Sequence, residues 1–335
     1  MATYPKKTER LENALASAHE TRACVIGEGV IQDVPALFRE QFLNARAAIV
    51  SDTNTFAAAG DHVYATLKHA DLTGPEPYVL DAQGLNAEMS FVERLFDVLS
   101  THNDVPVVVG SGTLNDLTKL VAHQLGRPYM VVGTAASMDG YTAYGASIIH
   151  EGNKKTFPCP APRAVLADLD VIRKAPSFLT AAGYADLMAK VVAGADWIIA
   201  DALDIEPVQA AVWEIVQGGL QDALSDPAGA RNGDSHAIAA LVEGLMLGGF
   251  AMQAAQTSRP ASGAEHQFSH LWDMEHHTYK GIAPSHGFKV GVATHFISKL
   301  YDQALNTPFG SLDVATVCAQ WPSWEPELSK NRLFP

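Results

Sequence analysis

Between Arg22 and Asp168 short apolar runs alternate with amphipathic stretches. The runs ACVIG (23–27), AAIVS (47–51), YVLD (78–81), VPVVVG (105–110), YMVVG (129–133) and AVLAD (164–168) are rich in β-branched residues and carry few polar interruptions. Strands of a parallel sheet read this way, because crossover helices bury them on both faces. The segments near 34–42, 55–69, 87–101 and 113–125 repeat their apolar positions at helical spacing. A doubly wound sheet is expected. TAYGASIIHEGNKKTF (142–157) breaks the alternation and predicts a β-excursion or hairpin before the last strand. After Asp170 the strand signals stop, and apolar periodicities over 177–204, 206–224, 236–256, 262–277 and 287–305 predict helices. The expected architecture is an α/β N-terminal nucleotide-binding domain, residues 1–172, followed by an all-α C-terminal domain, residues 173–335.

With 335 residues, 47% hydrophobic and 18% charged, the chain can bury the cores of two packed domains. A net charge of −14 with no Lys/Arg-rich stripe weighs against nucleic acid. A few local cations can still receive a small anionic substrate. Cys24, Cys159 and Cys318 are odd in number and widely spaced, which suits neither a disulfide framework nor a Cys-rich zinc site, so they read as reduced cytoplasmic thiols. The N-terminal lysines precede no apolar segment, and no apolar run is long enough to span a bilayer, so neither export nor a membrane partner is expected.

Gly110, Ser111, Gly112 and Thr113 stand between a buried strand and a helix. Glycines there let the backbone approach a phosphate, and the helix N-terminus favours an anion; the same sequence also serves an ordinary tight turn. The third glycine of the usual dinucleotide fingerprint is absent, and the acidic strand end, Asp52, precedes the loop instead of following it. Asp52 reads equally as an acceptor for an adenosine ribose and as a helix N-cap. Thr134, Ala135, Ala136, Ser137 and then Asp139 follow the strand YMVVG, where open α/β sheets hold their ligands. Asp139 there either orients a substrate hydroxyl or forms a turn.

In the helical half, Ser262 and Glu265 have capping-box spacing, which predicts a helix start that puts His266 and His270 on one face. His286 stands at the start of the next helix, after Pro284 and Ser285. Asp186, in LTAAGYADLMAKVV, is a carboxylate among small and apolar residues on a helix that should be buried, and so needs a partner. Read alone it serves as well as a cap or a salt-bridged core residue. Together Asp186, His266 and His286 could hold a metal with open coordination positions.

The blocks GSGTLNDLTK (110–119), TAASMDGY (134–141), GNKKT (152–156), APSFLTAAGYADLMAK (175–190), SGAEHQFSHLWDM (262–274) and SHGFKVGV (285–292) occur in one order. Through them the chain resembles the sn-glycerol-1-phosphate dehydrogenases, in particular the bacterial form found with arabinose-utilisation genes. That family lies within the dehydroquinate synthase-like and iron-containing alcohol dehydrogenase superfamily. The resemblance implies a cytoplasmic, homo-oligomeric oxidoreductase of phospholipid metabolism, using NAD or NADP and one divalent metal (zinc, nickel or iron) on a polyol phosphate. It also implies that Asp186, His266 and His286 are the metal ligands, with Asp186 lying against the substrate as well. By the same resemblance Asp139 and His270 contact the substrate, and Asp52, Gly110, Ser111, Gly112, Thr113, Leu114 and Thr134 to Ser137 bind the dinucleotide. Lys154, Lys155, Arg163 and Lys289 are left as alternatives for the phosphate. Where the family often has a cofactor-contacting serine this chain has Ala143, beside Thr142. A glycerol dehydrogenase-like enzyme and a dehydroquinate synthase-like lyase are the alternative activities.

Overall fold

A computed structural model of the chain describes residues 4–321. The strands are β1 (Ala23–Gly27), β2 (Ala47–Asp52), β3 (Tyr78–Leu80), β4 (Val105–Gly110), β5 (Met130–Gly133), β6 (Ala146–His150), β7 (Asn153–Phe157) and β8 (Ala164–Asp168). All six apolar runs join one parallel sheet in the order β1-β8-β5-β4-β2-β3. Successive side chains on a strand point to opposite faces, and here they divide between two cores. Ala48, Val50, Val108, Val131 and Val165 pack on one side; Ala47, Ile49, Val107, Val109 and Val132 pack on the other. Polar residues in the inner strands are confined to the carboxyl ends, at Ser51, Asp52 and Asp168, which is why the rest of those strands reads as continuous apolar runs. The break at 142–157 is an antiparallel hairpin of β6 and β7, turned by Glu151 and Gly152 with φ of 54° and 75°.

Register sets up the site. Val50 lies opposite Val108 and Gly110 opposite Gly133, so Asp52, Gly110 and Gly133 end their strands at one level. That carboxyl edge of a parallel sheet is where ligands bind in open α/β folds.

The alternation ends with the short helix Leu169–Ile172, and from Ser177 onward the regular elements among the described residues are helices, with one isolated bridge between Tyr279 and Ile282. Those nearest the site are Ser177–Ala202, Ser235–Ala255, Ala264–Met274 and His286–Leu305. The sheet and the helices up to His295 form one compact unit. A second unit begins at Phe296; its described residues include the helix Val314–Gln320, capped by Asp313, which accepts the Thr316 N–H at 3.2 Å. By length and composition one described helix, Ser235–Ala255, could cross a membrane, and 78% of its apolar window is buried inside the chain as a core element.

Two expectations need correction. The helix predicted over 206–224 is broken into Ala210–Gln217 and Leu220–Ala223. Arg10 donates to the Gly218 carbonyl at 3.1 Å, and a Cβ on Gly219 would run into its guanidinium, so the break is where the N-terminal helix docks. The capping box of Ser262 and Glu265 does not form either. Gly263 is the N-cap, Asp196 accepts the Ala264 N–H at 2.6 Å, and Glu265 turns to the Gly263 N–H at 2.8 Å. A carboxylate from the neighbouring helix supplies the cap that the local sequence assigned to serine.

Candidate active site

Asp186 lies at the centre of the 177–202 helix and is wholly buried. Its Oδ2 accepts the Asp139 backbone N–H at 3.0 Å, and its Oδ1 accepts from Lys190 Nζ, one turn on, at 3.0 Å. Lys190 Nζ also lies 2.6 Å from Asp139 Oδ2. Burial pulls the pKa of Lys190 down, but Asp139 and Asp186 together raise it above the ordinary value and keep the ammonium charged. Asp139 is pushed up, first by burial and then by the charge of Asp186, with Lys190 working against both.

His266 is brought to Asp186 by the 264–274 helix, with Nε2 at 3.8 Å from Asp186 Oδ1. Its Nδ1 sits 2.7 Å from Glu265 Oε1. A carboxylate there favours the tautomer protonated on Nδ1 and turns the Nε2 lone pair toward Asp186. His286 opens its helix, its ring 5.2 Å from that of His266 and its Nδ1 3.4 Å from Ser269 Oγ. Burial, then the charges of Lys154 and His266, hold its pKa well below the usual histidine value, so the ring is neutral. Asp186, His266 and His286 thus offer one ligand atom each, all within 4.8 Å of one another. One carboxylate and two imidazoles, one of them oriented by a second carboxylate and the other held neutral by burial, are a donor set that fits a divalent ion.

Two glycines allow this convergence. A Cβ on Gly287 would lie 2.1 Å from the Ala182 carbonyl oxygen, and one on Gly183 would lie 2.0 Å from that of Ala136. Their absence lets the 286–305 helix, and the Thr134 to Ser137 backbone, rest directly on the 177–202 helix. The loop after β5 is further fixed by Lys119, which donates to the carbonyls of Gly140, Ala143 and Gly145 at 3.1, 2.9 and 2.8 Å. Thr142 donates to the Met246 carbonyl at 2.7 Å, so its hydroxyl does not stand in for the serine replaced by Ala143. His270, one turn beyond His266, is pushed down to about 4 by burial and then by Lys154, and its buried Nδ1 has no partner among the described residues.

On the sheet side, Gly110 ends β4 and Ser111 starts the helix Gly112–Gln124 without a side-chain cap. The first-turn N–H groups of Gly112, Thr113 and Leu114 have no acceptor within the helix and suit an anion. A larger residue at 112 would meet the Met138 side chain, 2.5 Å from an added Cβ. Thr134 N–H bonds to the Gly110 carbonyl at 3.1 Å, which joins the two loops. Asp52 Oδ1 accepts the N–H groups of Asn54 and Thr55, both at 2.8 Å, as a helix cap. Its Oδ2 makes none of these bonds, so the capping role and a ligand role are compatible.

Three residues of this arrangement escape a reading of motifs. Lys190 has a signal in retrospect, an isolated cation one turn after an isolated aspartate on an apolar helix. Glu265 was assigned to a cap, and Lys119 looks like any helix-face lysine until the loop folds over it.

A family model described as iron-containing alcohol dehydrogenase matches residues 25–176. The NAD(P)+ glycerol-1-phosphate dehydrogenase of Halalkalibacterium halodurans is 34% identical over 304 residues, 88% of this chain and 76% of that protein. The enzyme of the same name from Methanosarcina mazei is 32% identical over 284 residues, 84% of this chain and 76% of that protein. Among solved structures, glycerol dehydrogenase from Schizosaccharomyces pombe superimposes with a TM-score of 0.67 at 19% identity, over 84% of this chain and 71% of the other. A 2-deoxy-scyllo-inosose synthase, complexed with carbaglucose-6-phosphate, NAD+ and Co2+, does so with 0.61 at 15% identity, over 86% and 76%.

Proposed function

This chain belongs to the glycerol-1-phosphate dehydrogenase family, with the dehydroquinate synthase-like fold, and from that premise we propose that it interconverts dihydroxyacetone phosphate and sn-glycerol 1-phosphate. The reaction is a hydride exchange between C2 of the substrate and NAD(P). The observation that carries this reading is the meeting of Asp186, His266 and His286 from three helices, with Asp139 and His270 beside them. A divalent cation held by those three would supply Lewis acidity to the C2 oxygen, and the nicotinamide would supply or take the hydride.

The chain's own side chains do the rest. Glu265 fixes the tautomer of His266, and Lys190 holds Asp139 and Asp186 together despite their like charge. Asp139, with Lys190 as its counter-ion, accepts a hydrogen bond from a substrate hydroxyl. Neutral His270 meets a second substrate oxygen with a ring nitrogen that is otherwise unpartnered. The first turn of the 112–124 helix takes the dinucleotide's phosphates, Thr134 to Ser137 border it, and Asp52 accepts a ribose hydroxyl and repels a 2′-phosphate. Residues 1–172 thereby carry the dinucleotide and 173–335 the metal. Zinc is our first assignment for the ion, and the ligand set accepts nickel and iron as well. We place the enzyme in the cytoplasm as a homo-oligomer, a reading supported by three unpaired cysteines and by exposed apolar side chains at Leu300, Leu305 and Phe309.

Elemental analysis of the purified protein, with NADH oxidation followed on dihydroxyacetone phosphate and on dihydroxyacetone, tests this reading. The expected result is about one bound divalent ion per chain, steady NADH consumption with the phosphate ester, and loss of both ion and turnover in Asp186→Asn, His266→Ala and His286→Ala. Full turnover by a metal-stripped variant would end the proposal. Preference for dihydroxyacetone would point to the polyol reading that the glycerol dehydrogenase fold favours, and a reaction with no net NADH change would point to the lyase.

A further inference from the structure

Lys154 and Lys289 come from different parts of the fold and meet at one carboxylate. Lys154 lies on β7, which packs against the 264–274 helix, and its Nζ is 3.1 Å from Asp273 Oδ2. Lys289 lies one turn into the 286–305 helix, and its Nζ contacts Asp273 Oδ1. The three side chains are only 16%, 8% and 16% exposed for Lys154, Lys289 and Asp273, so this is not a solvated surface pair. No other carboxylate forms an ion pair with either ammonium among the described residues. Two cations against one anion leave an excess positive charge in a sheltered place, which is costly unless an anion joins it. Each ammonium has three donors and gives one to Asp273, so most remain available.

The position relative to the metal ligands gives that charge a purpose. His266, His270 and Asp273 follow one another along a single face of their helix, and His286 and Lys289 do so along theirs. Asp273 therefore lies about two turns beyond His266 and one beyond His270, and Lys289 about one turn, roughly 5 Å, beyond His286. Lys154 reaches the same place from β7, which packs on the helix that carries His266, His270 and Asp273. The other two cations do not. Lys155 is exposed and pairs with Glu151 in the hairpin turn. Arg163 is exposed and precedes β8, at the end of the sheet opposite the carboxyl edge.

We propose that Lys154 and Lys289, held side by side by Asp273, form the subsite for the phosphate monoester of the substrate and set the preference for phosphorylated over free polyols. This rests on the reading of the site as acting on a triose phosphate, and the two can fail separately. Asp273 acts as a positioning residue: it keeps two like charges together in the absence of ligand and leaves their outer donors free.

The test uses the metal-loaded protein and its Lys154→Gln, Lys289→Gln, Lys154→Arg and Lys155→Gln variants. Inorganic phosphate is titrated by calorimetry, and kcat/KM is compared for dihydroxyacetone phosphate and dihydroxyacetone, with metal content measured throughout. In each glutamine variant of Lys154 and Lys289 we expect phosphate affinity, and the ratio of the two kcat/KM values, to fall roughly 10- to 100-fold, as for the loss of a charged hydrogen bond. Metal content should hold, Lys154→Arg should keep most of the affinity, and Lys155→Gln should behave as the parent. Unchanged phosphate affinity and an unchanged ratio in both glutamine variants would overturn the assignment. If the parent rejects dihydroxyacetone phosphate, the functional reading fails instead, and the calorimetric titration alone still decides whether the two lysines bind phosphate.

Discussion

Lys190 shows how a single residue holds the site together before any ligand arrives. It is buried, and it neutralises Asp139 at 2.6 Å and Asp186 at 3.0 Å. Removing one partner of a buried ion pair costs about 3–5 kcal/mol, because the remaining charges cannot return to water. Lys190→Met should therefore lower the denaturation free energy of the metal-free protein by about that amount, with part restored on adding the divalent ion, whose charge substitutes for the ammonium. Urea melts with and without metal would show it, and an unchanged midpoint would mean the two carboxylates do not depend on Lys190. Asp186 was legible as a buried aspartate in need of a partner. That it has an ammonium and a backbone N–H already was not, because those partners come from one helical turn away and from a loop far earlier in the chain.

At the scale of elements, close approach decides the geometry. Gly287 lets the 286–305 helix touch the 177–202 helix, with a would-be Cβ 2.1 Å from the Ala182 carbonyl oxygen. Glycine to alanine inside a helix ordinarily gains about 1 kcal/mol of propensity. Here the steric conflict is with backbone that cannot rotate away, so the helix must move and carry His286 with it. Gly287→Ala is expected to weaken metal affinity roughly 10- to 100-fold, the range seen when support around a ligand is disturbed, with helix content unchanged. A competition titration with a chromophoric chelator measures this; wild-type affinity would show that the helix absorbs the methyl group. The same scale explains the misread cap at Ser262. Local spacing favoured serine, but Asp196 on a neighbouring helix reached the Ala264 N–H first.

For the molecule as a whole, the proposed metal ligands Asp186, His266 and His286 come from three helices that the chain reaches about 80 and then 20 residues apart. An ion bound by all three stabilises only the folded arrangement. At a hundredfold excess over its dissociation constant it should add about 2.7 kcal/mol. Chelation is expected to lower the thermal midpoint by several degrees, reversibly, in the parent protein and not in His286→Ala. Calorimetric scans of both would check this, and equal shifts would place the stabilising ion elsewhere. The proposed dinucleotide side depends on the sheet instead, since parallel register alone puts Asp52, Gly110 and Gly133 at one level.

Periodicity along the chain determined the strands, most of the helices and the passage from alternating to helical structure, because burial on one or two faces leaves a local pattern in residue order. The histidine pair and the buried aspartate were visible for the same reason: each is out of place in its own neighbourhood. Tertiary structure alone decided which strands are adjacent, which oxygen of each carboxylate is already taken, and that Lys154 and Lys289 share Asp273 while Lys155 and Arg163 stand apart. Those outcomes depend on contacts between segments distant in sequence, where sterics and charge act across space and leave no periodic trace in the order of residues.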